Sequence, residues 1–133
     1  MSNSPSQVPG GGLVAHEQAG GHTLAKHVGK TEAELQARLA QEPRSRVSTF
    51  TDYSTAEAII AEAIADSQTT ILAWLSTNPS QTLTISYTAK RTAGFYLVRG
   101  TTTLVPSSHI LVVLKPNPSL VLGYYILTAY IAL

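Results

Sequence analysis

Thr82-Leu83-Thr84-Ile85-Ser86-Tyr87-Thr88 alternates polar and apolar side chains with a period of two. That pattern reads as a strand with one face in a core and the other toward water. Before it, apolar residues recur at helical spacing. After it, they fall in short β-branched and aromatic runs: Phe95 to Val98, Thr102 to Val105, Ile110 to Leu114 and Leu120 to about Ile131. Helices first and strands after argue for an α+β fold with an antiparallel sheet.

Working back from this run, Ile71, Leu72, Trp74 and Leu75 suggest a short helix that ends before Pro79. Ile59, Ile60, Ala63 and Ile64 suggest another, and Ser54-x-x-Glu57 ahead of them matches a capping box. Ser48-Thr49-Phe50 reads as a short extended segment. Thr31-x-x-Glu34 is a second capping box, followed by Leu35 and Leu39 on one helical face, with the helix fading near Glu42 before Pro43. A shorter helix fits Thr23 to Val28, stopped by Gly29 in the C′ position. Leu13 to Gln18 forms a lead-in. Residues 1–12, rich in Ser, Pro and Gly, read as a linker or a disordered lead outside the native domain, which then spans 13–133. The helix opened by Thr31 and the one that carries Ile59 to Ile64 are expected to pack on the sheet.

Downstream, Pro116-Asn117-Pro118-Ser119 is a turn. The apolar stretch Leu120 to Leu133 is shorter than the roughly 20 residues a bilayer span needs, and its β-branched and aromatic content favours a buried strand. No membrane association is expected. The chain has no cysteine, which excludes disulfides and thiolate metal sites, so burial alone must hold the 133 residues together. The net charge of +1 hides an asymmetry. The first 66 residues carry all eight acids and five bases, whereas the rest carries Lys90, Arg91, Arg99 and Lys115 and no acid. A sheet-rich half of that kind suits a polyanion.

Several residues could carry chemistry. Strict alternation along the last strand puts Tyr124, Ile126, Thr128 and Tyr130 on one face, so two hydroxyls roughly 7 Å apart could meet one phosphate. Thr and Tyr also simply favour strands. Arg38 lies about 60° round the helix axis from Leu35. Its fork could face a phosphate, or it could pair with Glu34 or Glu42. His16, His22 and His27 crowd together, but their spacing matches no familiar metal-ligand pattern. A histidine as general acid or base fits better.

These blocks together resemble a known family. Gly20-Gly21-His22-Thr23-Leu24, His27-Val28-Gly29-Lys30-Thr31, Arg38-Leu39, Ser48-Thr49-Phe50, Trp74-Leu75, Val112-Val113-Leu114 and Gly123 through Tyr130 are similar to the bacterial RNase A-like toxin domain of contact-dependent growth inhibition effectors (CdiA C-terminal) and related polymorphic toxins. The resemblance implies a bent, antiparallel two-sheet body with helices, like pancreatic ribonuclease but without its disulfides. It implies catalytic residues at His27, Arg38, Thr128 and Tyr130 and neither metal nor cofactor; His22, Lys26 and Lys30 nearby are RNA-binding candidates. It implies a metal-independent endoribonuclease that attacks through the ribose 2′-hydroxyl and leaves a 2′,3′-cyclic phosphate, with no action on DNA. The implied partners are RNA, with tRNA one candidate, and a cognate immunity protein. The implied setting is the C-terminal part of a larger secreted effector, acting in the cytoplasm of a competing bacterium. The family tends to show Pro after the Tyr, where this chain has Ile131. Two alternatives stay open: a non-catalytic RNA-binding or interaction module on the same fold, and a zinc hydrolase built on the histidine cluster.

Overall fold

The computed structural model describes residues 7–132. Five helices, α1 (Gly12–Ala19), α2 (Thr23–His27), α3 (Glu32–Gln41), α4 (Tyr53–Asp66) and α5 (Gln68–Ser76), accompany six strands. The strands are β1 (Arg46–Phe50), β2 (Leu83–Thr88), β3 (Gly94–Val98), β4 (Val105–Ser107), β5 (His109–Pro116) and β6 (Tyr124–Ile131). They form two antiparallel sheets, in the orders β1-β3-β4 and β2-β5-β6. This is the expected α+β architecture, with one refinement: β1 sits between α3 and α4 and starts a sheet of its own.

The main core lies between α4 and the β2-β5-β6 sheet. Ile59, Ile60 and Ile64 meet Ile85, Ile110, Val112, Leu114 and Ile126 there, all nearly or wholly buried. A smaller core under α3 joins Leu35 and Leu39 to Val47 and Leu97 on β1 and β3. The Thr31 capping box forms as expected: its hydroxyl accepts from the Glu34 N–H at 3.1 Å, and the Glu34 carboxylate accepts from the Thr31 N–H at 2.9 Å. Gly94 of β3 passes close to β1 in the same sheet, with Ile131 of the other sheet beside it. A Cβ on Gly94 would stand 2.1 Å from the Thr49 carbonyl oxygen, so only glycine allows that approach.

Four expectations need correction. The strand expected over Thr102 to Val105 lies later, at Val105–Ser107. The box at Ser54 does not form. Asp52 caps α4 by accepting from the Thr55 N–H at 2.8 Å, two residues earlier. Glu57 instead turns inward, 4% exposed, and accepts from the Val8 N–H at 2.9 Å, the Leu13 N–H at 2.5 Å and the Tyr53 hydroxyl at 3.0 Å. Those bonds also draw the lead into the fold. Val8, placed in the linker by composition, is 1% exposed and belongs to the core, while residues 1–6 lie outside the described ones. Last, the closing strand starts at Tyr124 rather than Leu120. A turn closes there, with the Asn117 N–H donating to the Gly123 carbonyl at 2.8 Å and Gly123 at φ +84°. Among the described residues no helix is long and apolar enough to cross a membrane.

Candidate active site

The geometry of the site begins with a defect in β6. Val113 opposes Thr128 and Leu114 opposes Ile126, so Leu127 is an extra residue, a β-bulge. Strict alternation would have kept Thr128 on the side of Ile126. Instead Ile126, Ala129 and Ile131 oppose Leu114, Val112 and Ile110, and all six are buried at 2% exposure or less. Thr128 and Tyr130 occupy the other side and line a cleft. The two hydroxyls do share a face, but not with Ile126.

A bulge breaks the ladder, and its backbone groups need other partners. Two histidines meet that need. The Ile126 N–H donates to His16 Nδ1 at 2.8 Å, and His16 Nε2 bonds the Pro9 carbonyl at 2.8 Å. The first bond makes Nδ1 an acceptor, so the proton sits on Nε2 and the ring is neutral. Burial lowers the His16 pKa, opposed by the Pro9 carbonyl and the Glu57 charge. The Leu127 carbonyl accepts from the His22 N–H at 2.9 Å. Gly21 permits that approach: a Cβ there would lie 2.2 Å from the Ile126 carbonyl oxygen. The Gly-Gly-His block therefore threads the start of α2 across the bulge.

α2 is only five residues long and is held from outside. The Glu17 carboxylate of α1 accepts from the Leu24 and Ala25 N–H groups at 3.2 and 2.9 Å. Gly29, at φ +66°, ends the helix and donates to the Phe50 carbonyl at 3.1 Å. This fixes His27, the last helical residue, against β6. Its ring centroid is 5.9 Å from that of Tyr130 and 6.4 Å from that of His22.

Arg38 reaches the same cleft from α3 with its side chain 16% exposed. Its Nε donates to Glu42 Oε2 at 2.8 Å, and Nη1 lies 3.5 Å from the Lys26 carbonyl. Both readings of Arg38 thus coexist: it pairs with Glu42 and it faces the cleft.

The cleft, about 450 Å³, is lined by His22, Lys26, His27, Arg38, Thr128 and Tyr130, joined by residues 44–48 and Ile131. Its cations are Lys26, Arg38, Arg44 and Arg46, and no carboxylate is among its lining residues. These bases come from the first half of the chain. The basic second half does not supply them: Arg91 pairs with Glu62 at 2.8 Å, and Arg99 bonds carbonyls of residues 42 and 44. Net charge by halves misleads because no acid of the first half lines the cleft, although Glu42 pairs with Arg38 and Arg44 at its edge. Lys30 does not line the cleft; its N–H donates to the Thr49 hydroxyl at 2.9 Å. Arg44 and Arg46 were not singled out from sequence, because two exposed arginines after a Pro carry no periodic signal.

Two residues that line the cleft each carry a buried polar atom, His27 Nδ1 and Thr128 Oγ1, with no hydrogen-bond partner among the described residues. Such atoms are rare away from functional sites. The His27 pKa falls from 6.5 to about 3, first by burial and then by repulsion from Arg38, His22, Lys26 and Arg44. The imidazole is therefore neutral at physiological pH. Among the described residues no three His, Asp or Glu side chains gather as a metal cage, and both nitrogens of His16 are already committed.

Helices over two cysteine-free antiparallel sheets, with a basic cleft lined by His27, Arg38, Thr128 and Tyr130, make up the domain. The chain belongs to the family described as the bacterial CdiA-CT RNAse A domain, which matches residues 21–130. It is also similar to a chain in the crystal structure of the CdiA-CT/CdiI complex from Y. kristensenii 33638, at 35% sequence identity and a TM-score of 0.78. That match covers 85% of this chain and 100% of the other. No curated protein matches it.

Proposed function

We propose that this domain is a metal-independent endoribonuclease toxin that cleaves RNA by transphosphorylation. His27 takes the proton of a ribose 2′-hydroxyl, and the resulting oxyanion attacks the adjacent phosphorus. A pentacoordinate phosphorane forms and collapses to a 2′,3′-cyclic phosphate as the 5′-oxygen leaves with a proton. Arg38 faces the charge that grows on the non-bridging oxygens, where a preorganised donor contributes about 3–4 kcal/mol. Thr128 donates to one of those oxygens. Tyr130 supplies the leaving-group proton or a further donor.

The observation that carries this reading is the convergence of His27, Arg38, Thr128 and Tyr130 on one basic cleft, with His27 Nδ1 and Thr128 Oγ1 buried and unpartnered among the described residues. His27 is held in the neutral form that a general base needs, and an anionic substrate would offset the surrounding cations and raise its basicity toward the working pH. The nucleophile belongs to the substrate, so DNA is inert.

By analogy with the neighbour found in a CdiA-CT/CdiI complex, the partner is a cognate immunity protein that covers the cleft, with acidic groups opposite Lys26, Arg38, Arg44 and Arg46. The domain acts as the C-terminal part of a secreted effector inside a competing bacterium, with tRNA one candidate target. The test incubates purified protein with total RNA in EDTA beside His27→Ala. Degradation by the first and not the second supports the proposal. Equal degradation by both, or none by either, contradicts it.

A further inference from the structure

The mechanism uses one guanidinium of the cleft and leaves the others without a task. Glu42 grips two of them. Its Oε2 accepts from Arg38 Nε at 2.8 Å and its Oε1 from Arg44 Nε at 2.7 Å. Both bonds use Nε, and Arg38 Nη1 makes one further, long contact to the Lys26 carbonyl at 3.5 Å. Like charges would drive the forks apart, and the shared carboxylate holds them as neighbours. Both guanidiniums, first Arg44 and then Arg38, keep Glu42 below the usual carboxylate range, so it stays charged.

The loop that carries Arg44 leads into β1 and is pinned from the end of β3, the strand paired with β1. Arg99, just after β3, donates from Nη2 to the Glu42 carbonyl at 2.5 Å and from Nε to the Arg44 carbonyl at 2.8 Å. Its own N–H donates to the Ser45 carbonyl at 2.8 Å. One residue thus holds the carbonyls of residues 42, 44 and 45 beside the cleft. Two residues on, Arg46 opens β1 and lines the same wall, and it forms no ion pair among the described residues. A prearranged cationic wall binds an anion with little ordering cost. Three guanidiniums are more than one scissile phosphate can engage with paired hydrogen bonds.

We propose that Arg44, splinted to Arg38 by Glu42, joins Arg46 in a second phosphate subsite beside the scissile position, so that the preferred substrate is an RNA strand with a phosphate flanking the one cleaved. This rests on the ribonuclease reading and deepens it. Glu42 and Arg99 are positioning residues for the subsite. A guanidinium meeting a phosphate fork to fork makes a strong, charge-assisted contact, so the flanking phosphate should raise kcat/KM about tenfold.

The experiment compares a dinucleoside monophosphate with the same molecule carrying an added 5′- or 3′-terminal phosphate. Both are tested on the wild-type domain, Arg44→Gln and Arg46→Gln, with uncleavable 2′-O-methyl versions for binding. In the wild type, one added phosphate should raise kcat/KM about tenfold and tighten binding in parallel. That ratio should fall toward one in Arg44→Gln or Arg46→Gln, whatever either does to the minimal substrate. A wild-type ratio near one, or a ratio unchanged in both variants, overturns the subsite. If none of the RNAs is cleaved but the binding ratio still depends on Arg44 or Arg46, the subsite stands and the nuclease reading falls. Arg44 is largely exposed, so Arg44→Gln should fold, and circular dichroism checks this.

Discussion

His27 joins burial, charge and chemistry in one side chain. Its pKa, about 3 when folded against 6.5 otherwise, means the unfolded chain binds a proton that the folded one refuses. The stability it contributes is fully present above pH 6.5 and is lost as the pH falls toward 3. His27→Gln should flatten the decline of unfolding free energy between those pH values, measured by urea titration at several pH values. His16, also lowered by burial, adds to the same slope, so His16 must be intact in both proteins compared. In catalysis the same shift keeps the base free. The acidic limb of kcat/KM should lie well below pH 6.5, and that of kcat should lie higher, because a bound phosphate offsets the surrounding cations. Arg38→Lys keeps the charge but loses the Nε bond to Glu42 and the planar fork. We expect kcat to fall about 10²-fold, read from single-turnover cleavage.

At the scale of elements, the bulge in β6 and the short α2 are one device. The bulge turns Thr128 and Tyr130 away from the core, while His16 and the His22 N–H satisfy the backbone it leaves open. Gly21 makes the crossing possible. Gly21→Ala should cost about 1–3 kcal/mol in denaturant unfolding and should lower activity further than the stability loss explains, because α2 must lift from β6 and carry His27 with it. This part was hidden in the sequence. Period-two alternation is a rule for unbroken strands, and nothing in Ile126-Leu127-Thr128 marks Leu127 as the extra residue. The capping box at Thr31 was legible because both partners are local. The one at Ser54 failed because Glu57 answers to Val8 and Leu13, more than 40 positions away.

For the whole molecule, the order of helices and strands followed from the change of period at Thr82, and the two-sheet body followed from the family resemblance. Where the charge sits did not follow. Halving the chain pointed to the second half, yet the cleft draws Lys26, Arg38, Arg44 and Arg46 from the first, and only the fold brings them to one wall. A cleft of that kind predicts steep salt dependence. The logarithm of kcat/KM on a long RNA should fall with the logarithm of salt at a slope of about −0.7 for each phosphate engaged. EDTA should leave the rate unchanged across that series.

The account stands on the claim that the substrate's own 2′-hydroxyl is the nucleophile, deprotonated at His27. One measurement reaches it directly: mass spectrometry of the products of a short RNA and of the same RNA with a single 2′-O-methyl group at the cleaved nucleotide. The account predicts a 2′,3′-cyclic phosphate and a 5′-hydroxyl from the first, and no cut at that position in the second. A 5′-phosphate product, or cleavage that ignores the methyl group, would contradict it.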